Sequence, residues 1–162
     1  MTHMLELPVR KPATAADALQ QTLVELIELA MQGKQAHWNV EGPLFKPVHE
    51  LLDEMVDQQR AWYDEIAERL TAIGHTADGR STTVAEMAQL APLPDGPIDD
   101  ETAIDAFEAR VGDVARRVTE RAAAIETDLG TQDLLVEVLR GLEKQRWMLR
   151  ASRVRAGRGA RS

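Results

Sequence analysis

Polar side chains, mostly histidine and carboxylates, recur between residues 46 and 73 at a spacing that suits metal binding. The set is His49, Asp53, Asp57, Arg60, Asp64 and Glu68. Intervals of three and four residues place them on one face of a helix, which turns by about 100° per residue. The chain has no cysteine, which excludes disulfides, thiolate metal sites and cysteine nucleophiles. Any bound metal must therefore use nitrogen and oxygen ligands, which suit iron, manganese or zinc better than copper(I).

The same helix carries an apolar stripe on its other side. Its members are Val48, Leu51, Leu52, Met55, Trp62, Ile66, Leu70 and Ile73. The two stripes are centred roughly 160° apart on the helical wheel, so we expect the polar stripe to point away from the subunit's own core. A solvated polar face is the alternative explanation. Against it, Asp64 and Glu68 are i, i+4 neighbours that repel each other unless a cation joins them.

His49 and Asp64 cannot share a metal within one straight helix, because the fifteen residues between them span about 22 Å. Two copies packed antiparallel about a two-fold axis near Asp57 would bring His49 of one chain toward Asp64 and Glu68 of the other. His37, twelve residues before His49, supplies a second nitrogen if a short turn folds the two helices into a hairpin. A single histidine is more often structural than a ligand, but this combination favours a shared metal site.

Four long helices must position these residues. The spacing of apolar residues predicts these helices at residues 15–40, 46–73, 99–127 and 132–152. Thr14 with Asp17 is typical of a helix cap. We expect short turns at Gly42-Pro43 and Gly130-Thr131, and a long connection over 74–97 that contains a short helix at about 83–90, capped by Ser81 or Thr82. Strand signals are nearly absent. One long crossover between two helix pairs predicts an all-α, ferritin-like four-helix bundle, although the pattern alone leaves other bundles open.

Charge and hydropathy limit the location and the partners. No run of apolar residues is long enough for a transmembrane helix, and residues 1–20 lack the apolar middle of a signal peptide, so we expect a cytoplasmic protein. The last thirteen residues contain five arginines and no acid, and removing those charges takes the net charge from −8 to −13. A body this acidic repels DNA. We therefore predict one domain at residues 1–152 and a flexible basic tail at 153–162 that is the only segment suited to DNA. The arginines are Arg150, Arg153, Arg155, Arg158 and Arg161.

Several of these residues occur in a combination that resembles the Dps family, the mini-ferritins. The matching positions are His37-Trp38-Asn39-Val40, Gly42, Phe45, His49-Glu50, Leu52-Asp53, Asp64 and Ala67-Glu68-Arg69. The resemblance continues in the fourth helix with Glu143-Lys144 and with Trp147-Met148-Leu149-Arg150-Ala151. It covers about residues 15–152. The Glu-x-x-His motif of larger ferritins does not occur in the sequence.

The resemblance implies a ferroxidase that oxidises Fe(II), preferably with hydrogen peroxide, stores Fe(III) inside a shell of twelve subunits and protects DNA. It also implies the iron ligands: His37 and His49 from one subunit, Asp53 beside them on the same chain or close by, and Asp64 and Glu68 from the two-fold partner. Zinc or manganese could occupy the same ligands.

Further residues take roles by the same resemblance. Trp38 adjoins the metal site and Trp147 resembles a second tryptophan near it; both could donate an electron, with core packing as the alternative. Glu50, Glu54 and Asp57 are candidates for nucleating Fe(III) on an inner surface, with a solvated outer face as the alternative.

Acidic pores lie near the start of the fourth helix in the family, and this region contains Glu126, Asp128 and Asp133. We assign the pore role to Asp133. A favourable charge at a helix start would explain the same residue.

Two other functions remain open at this point. The chain could be a nucleoid-binding structural protein that uses its basic tail and has only a secondary metal site. It could also be a metal-bridged helical dimer without catalysis. His3 and His75 have no assigned role, and we expect both to be exposed.

Overall fold

The structure, a computed structural model, describes residues 14–153. The helices are α1 (Ala15–Asn39), α2 (Phe45–Ala72), α3 (Ser81–Met87), α4 (Asp100–Ala124) and α5 (Leu129–Ala151). Two strands of two residues, β1 (Val40–Glu41) and β2 (Ile98–Asp99), form a parallel pair. No helix in this part of the chain is both long enough and apolar enough to span a membrane.

The four long helices form two antiparallel hairpins, α1 with α2 and α4 with α5, which pack on each other. Each helix buries one apolar face, as expected for amphipathic helices around a common core. The largest fully buried side chains come from all four: Leu19, Leu26, Leu29, Leu52, Ile66, Leu70, Ile104, Phe107, Leu135, Leu142 and Leu149. The predicted all-α, ferritin-like bundle, with a short helix in the long crossover, is confirmed.

Side chains of α1 and α4 hold the crossover against the bundle. The amide of Gln20 donates to the Asp78 carbonyl at 2.7 Å and accepts from the Asp78 N–H at 3.0 Å. Farther along, the buried Arg110 guanidinium donates to the carbonyls of Ala91 at 3.0 Å and Pro92 at 2.6 Å. The long connection is therefore a packed part of the domain.

Some predicted boundaries were wrong. Gly130 and Thr131 lie inside α5, because the turn occupies residues 125–128 and Asp128 caps the helix by accepting from the Thr131 N–H. Neither Ser81 nor Thr82 caps α3, which follows Arg80 without a side-chain cap. The strand pair was not anticipated. The cap at Thr14, which accepts from the Asp17 N–H at 3.1 Å, is confirmed.

Candidate metal centre

His37 and His49 meet where α1 runs into α2. Their rings stack with centroids 3.6 Å apart and planes inclined by 17°. The Nδ1 of each ring lies 2.7 Å from the backbone oxygen of the other residue. The His37 carbonyl is available because it belongs to the last turn of α1, where carbonyls lack intrahelical partners. The short turn thus brings together two histidines that are twelve residues apart.

These reciprocal contacts determine which ring nitrogen is free. A backbone carbonyl only accepts, so Nδ1 must carry the hydrogen in both rings. In the neutral rings Nε2 then retains its lone pair, which is the arrangement found in metal-binding histidines whose other nitrogen donates to a carbonyl. His37 is buried and His49 half-buried. The pair is therefore chemically prepared to bind a metal through two nitrogens.

Asp53 lies one turn after His49 on α2 and contacts α1. Its Oδ1 is 2.5 Å from the Nζ of Lys34, which projects from α1. This hydrogen bond holds the pKa of Asp53 below its ordinary value, and the nearby His37 and His49 act in the same direction. Asp53 is thus kept ionised, as a metal ligand must be. The role of Lys34 was missed because its partner lies on another helix, nineteen residues away.

Asp64 and Glu68 lie farther along the same face of α2 and are both exposed. The apolar stripe of this helix faces the core as expected, with Val48, Leu52, Met55, Trp62, Ile66 and Leu70 buried. Within residues 14–153, no three His, Asp or Glu side chains come close enough to hold a metal. One subunit therefore brings His37 and His49 together but does not by itself complete a site of three ligands with Asp53, Asp64 or Glu68.

Both candidate tryptophans are on the surface. Trp38 is 66% exposed and Trp147 is 60% exposed, so core packing does not explain either residue. The Nζ of Lys34 lies 5.9 Å from the centroid of the Trp38 ring. Trp38 also borders a groove of about 420 Å³ between α1 and α2, together with Met31 and Tyr63. An exposed apolar surface thus adjoins the histidine pair.

The candidate nucleation residues are accessible. Glu50, Glu54 and Asp57 are all exposed on α2. Two of them make only long ion pairs, Glu50 with Lys46 and Asp57 with Arg60, each at 3.7 Å. His75 is exposed as expected, whereas His3 lies outside the described residues.

Only some of the candidate pore acids are free to face a pore. Asp128 is engaged in the turn: its Oδ1 accepts from Arg69 at 2.8 Å, and its Oδ2 accepts from the Thr131 hydroxyl at 2.6 Å. Asp133 and Glu126 are exposed. The helix-start explanation for Asp133 was wrong, because α5 begins four residues earlier, at Leu129.

The start of the arginine-rich segment contacts the bundle. Arg153 lies 2.6 Å from Asp105 and 3.5 Å from Glu108, both on α4, while Arg150 is exposed. Arg155, Arg158 and Arg161 lie outside the described residues.

Comparisons with known proteins extend over most of this bundle. Residues 16–155 match the Ferritin-like domain. The chain is 38% identical over 138 residues to DNA protection during starvation protein 2 of Deinococcus radiodurans, covering 85% of this chain and 57% of that protein. It is 35% identical over 150 residues to the DNA protection during starvation protein of Agrobacterium fabrum, covering 90% of this chain and 91% of that protein.

A solved structure agrees with these matches. The fold resembles that of Dps from Microbacterium arborescens in the high iron form, with a TM-score of 0.81 and 33% identity, covering 88% of this chain and 97% of that chain. Fold, domain match and relatives together show that the chain belongs to the Dps family of ferritin-like proteins.

Proposed function

We propose that this chain is a ferroxidase and iron-storage protein whose catalytic site is shared between two copies. His37, His49 and Asp53 of one copy would bind iron together with Asp64 and Glu68 of the other. One observation carries the proposal. Nδ1 of each histidine lies on a backbone carbonyl, which leaves Nε2 for a metal, while Asp53, Asp64 and Glu68 follow along the polar face of α2.

The two-fold arrangement follows from the length of α2. His49 and Asp64 are separated along one helix by about 22 Å, so their side chains cannot meet within a subunit. When two α2 helices pack antiparallel about a two-fold axis near Asp57, the N-terminal end of each helix lies beside the C-terminal end of the other. Such an interface is self-complementary and yields two equivalent sites. The exposed Met31 and Trp38, which border the groove between α1 and α2, supply apolar surface for it.

Iron is the substrate of the proposed reaction, with hydrogen peroxide as the oxidant. Two Fe(II) ions each give up one electron, the O–O bond of one peroxide breaks, and two protons complete two water molecules. Both electrons enter the same peroxide, so no hydroxyl radical is released. Carboxylate ligands favour the harder Fe(III) product, which helps drive the oxidation. The high iron form of the similar Microbacterium arborescens Dps supports iron as the metal, while zinc or manganese could occupy the same ligands.

Storage requires a surface that receives the product. We assign this to a cytoplasmic shell of twelve subunits in which Glu50, Glu54 and Asp57 nucleate Fe(III). Asp133 is assigned to the entry pores, and its exposure supports this role. The exposed Trp38 and Trp147 would donate an electron when only one iron is bound.

DNA binding through the basic tail is a second candidate function. The names of the relatives, DNA protection during starvation proteins, favour it. Because the rest of the protein is acidic, only the arginine-rich segment is suited to contact DNA phosphates. A nucleoid-binding role could accompany iron oxidation or exist without it.

The decisive experiment uses complementation between two inactive variants. The protein is loaded with Fe(II) under anaerobic conditions, peroxide is added, and Fe(III) absorbance is followed with particle size measured by light scattering. We expect His49→Ala and Asp64→Ala each to lose more than about tenfold in rate. Glu65→Ala, which removes an exposed carboxylate beside Asp64, serves as the matched control and should retain the rate.

Co-refolded mixtures of the two variants then test the shared site. A mixed dimer has one doubly damaged site and one intact site, so about a quarter of all sites should recover in a random mixture. Recovery of activity on a particle of about twelve chains supports the proposal. No recovery would mean that the site lies within one chain, and wild-type rates in both single variants would mean that the polar stripe is structural.

A further inference from the structure

A buried carboxylate outside the metal face contacts the connection between the two histidines. Asp100 is the first residue of α4 and is only 5% exposed. It is not needed as the cap of its own helix, because the neighbouring Asp99 accepts from the Thr102 N–H at 2.9 Å. The Asp100 side chain instead reaches the residues that join α1 to α2.

The first contact is at the start of α2. The Leu44 N–H donates to Oδ2 of Asp100 at 2.5 Å. Leu44 occupies the cap position of α2 and provides no side-chain hydrogen bond of its own. The N-terminus of a helix leaves N–H groups without intrahelical partners and favours a negative charge. Asp100 therefore supplies from α4 the acceptor and the charge that α2 lacks.

The second contact is with Gly42. This residue has a φ of 126°, a conformation that favours glycine. A β-carbon placed on it would lie 2.5 Å from Oδ2 and 2.8 Å from the carboxyl carbon of Asp100. Only a residue without a side chain thus allows the backbone to lie against this carboxylate.

The strand pair attaches the other half of the connection to the same place. Val40 is paired with Ile98, two residues before Asp100. The connection is therefore held at both ends, by β2 after His37 and by Asp100 before His49. The two reciprocal histidine contacts, each 2.7 Å long, require this connection to keep one backbone path.

We infer that Asp100 is a positioning residue for the His37–His49 pair. It acts through Leu44 and Gly42, without contacting the metal, by fixing where α2 starts relative to the end of α1. This role rests on the proposed function of the pair as iron ligands. The contacts that carry it join protein atoms only, so they can be tested separately from metal binding.

The test compares Asp100→Ala, Asp100→Asn and the control Asp128→Ala in the full-length protein. Hydrogen exchange of residues 36–50 is measured without metal, and binding of Co²⁺ is followed by its absorption spectrum. We expect Asp100→Ala to speed exchange in this segment, to weaken Co²⁺ binding by about tenfold, as for other residues that orient ligands, and to alter the spectrum. Asp100→Asn keeps an acceptor for Leu44 and should restore most of both properties.

The control separates positioning from general stability. Asp128→Ala removes the cap of α5, which lies beyond the opposite end of α4, and should lower the melting temperature while leaving exchange of residues 36–50 and Co²⁺ binding unchanged. Equal effects of the two alanine variants, or wild-type exchange in Asp100→Ala, would overturn the inference. If the wild type bound no Co²⁺ and oxidised no iron, the proposed function would fail, and the exchange data alone would still decide whether Asp100 holds the connection.

Discussion

Lys34 and Asp53 form an ion pair, 2.5 Å long, between α1 and α2 at the edge of the histidine pair. The Lys34 ammonium group donates to an oxygen of Asp53, a carboxylate that we assign as an iron ligand. A metal ion that takes this oxygen must therefore displace the lysine and tolerate its charge.

Replacing Lys34 by Gln should tighten metal binding at Asp53. A positive charge about 4 Å away repels a divalent ion twice as strongly as a monovalent one, so we expect the Kd for Co²⁺ to fall by about thirtyfold. Calorimetry of the metal-free protein measures the change. Lys46→Gln is the control, because Lys46 is exposed and lies 3.7 Å from Glu50. Weaker binding in Lys34→Gln would show that the lysine organises the site instead of competing for it.

Asp128 should stabilise the α4–α5 turn in a pH-dependent manner. Hydrogen bonds from Thr131, and then from Arg69, hold the pKa of Asp128 below its ordinary value. A lowered pKa means that the stabilisation is complete above the ordinary value of about 3.9 and disappears as the pH falls through the lower pKa of the folded protein. Asp128→Ala should therefore cost about 1 kcal/mol at pH 7.

Urea unfolding at pH 7 and pH 3 measures this effect. The difference between wild type and Asp128→Ala should shrink at the lower pH. Asp133→Ala removes a nearby exposed carboxylate and should change stability little at either pH. A difference for Asp128→Ala that stays constant with pH would contradict an electrostatic origin.

Two helical glycines should respond in opposite ways to alanine. A β-carbon at Gly141 would lie 2.0 Å from the buried Trp62 ring, whereas at Gly112 it would meet only the end of the flexible Arg146 side chain, at 3.0 Å. Overpacking a core costs about 1–3 kcal/mol, while alanine is favoured over glycine in a helix by about 1 kcal/mol. We expect Gly141→Ala to lower the melting temperature and Gly112→Ala to leave it unchanged or raise it. Equal changes in melting temperature for the two variants would mean that the Trp62 ring moves aside without loss of stability.

Removing residues 154–162 should abolish any DNA binding. The deleted segment contains three arginines, and up to twelve such segments per shell would bind phosphate multivalently. A gel shift at low and high salt measures the loss, and the wild-type affinity should fall steeply with salt. Asp105→Ala, which removes a partner of Arg153, should strengthen binding slightly. Unchanged binding after truncation would assign DNA contact to another surface.

The bundle could be predicted because apolar residues recur regularly along four helices. The α4–α5 turn could not be predicted, because Gly130-Thr131 has the composition of a turn. In the structure Thr131 lies within α5 and hydrogen-bonds to Asp128, the cap of that helix, and to Arg69 of α2. The two-residue strands are too short for an alternating pattern.

Sequence reasoning brought His37 and His49 together, and the structure stacks their rings; their role as metal ligands together with Asp53 stays a prediction. It missed Lys34 and Asp100, since each acts on a residue that is distant in the sequence. Asp100 lies fifty-six residues from Leu44, and no spacing rule connects two such positions. The joint site with Asp64 and Glu68 stays a prediction.

The mutual hydrogen bonds of His37 and His49 use backbone oxygens as acceptors. A side-chain acceptor is lost by a single base change, whereas a peptide carbonyl persists whatever residue follows. Most point mutations near the two rings should therefore leave the orientation of the rings unchanged. It is vulnerable instead to changes in chain length, because one residue inserted between positions 40 and 44 would shift both acceptors at once. Across natural variants of this chain, we expect that connection to keep its length and its glycine at position 42, while its other residues vary.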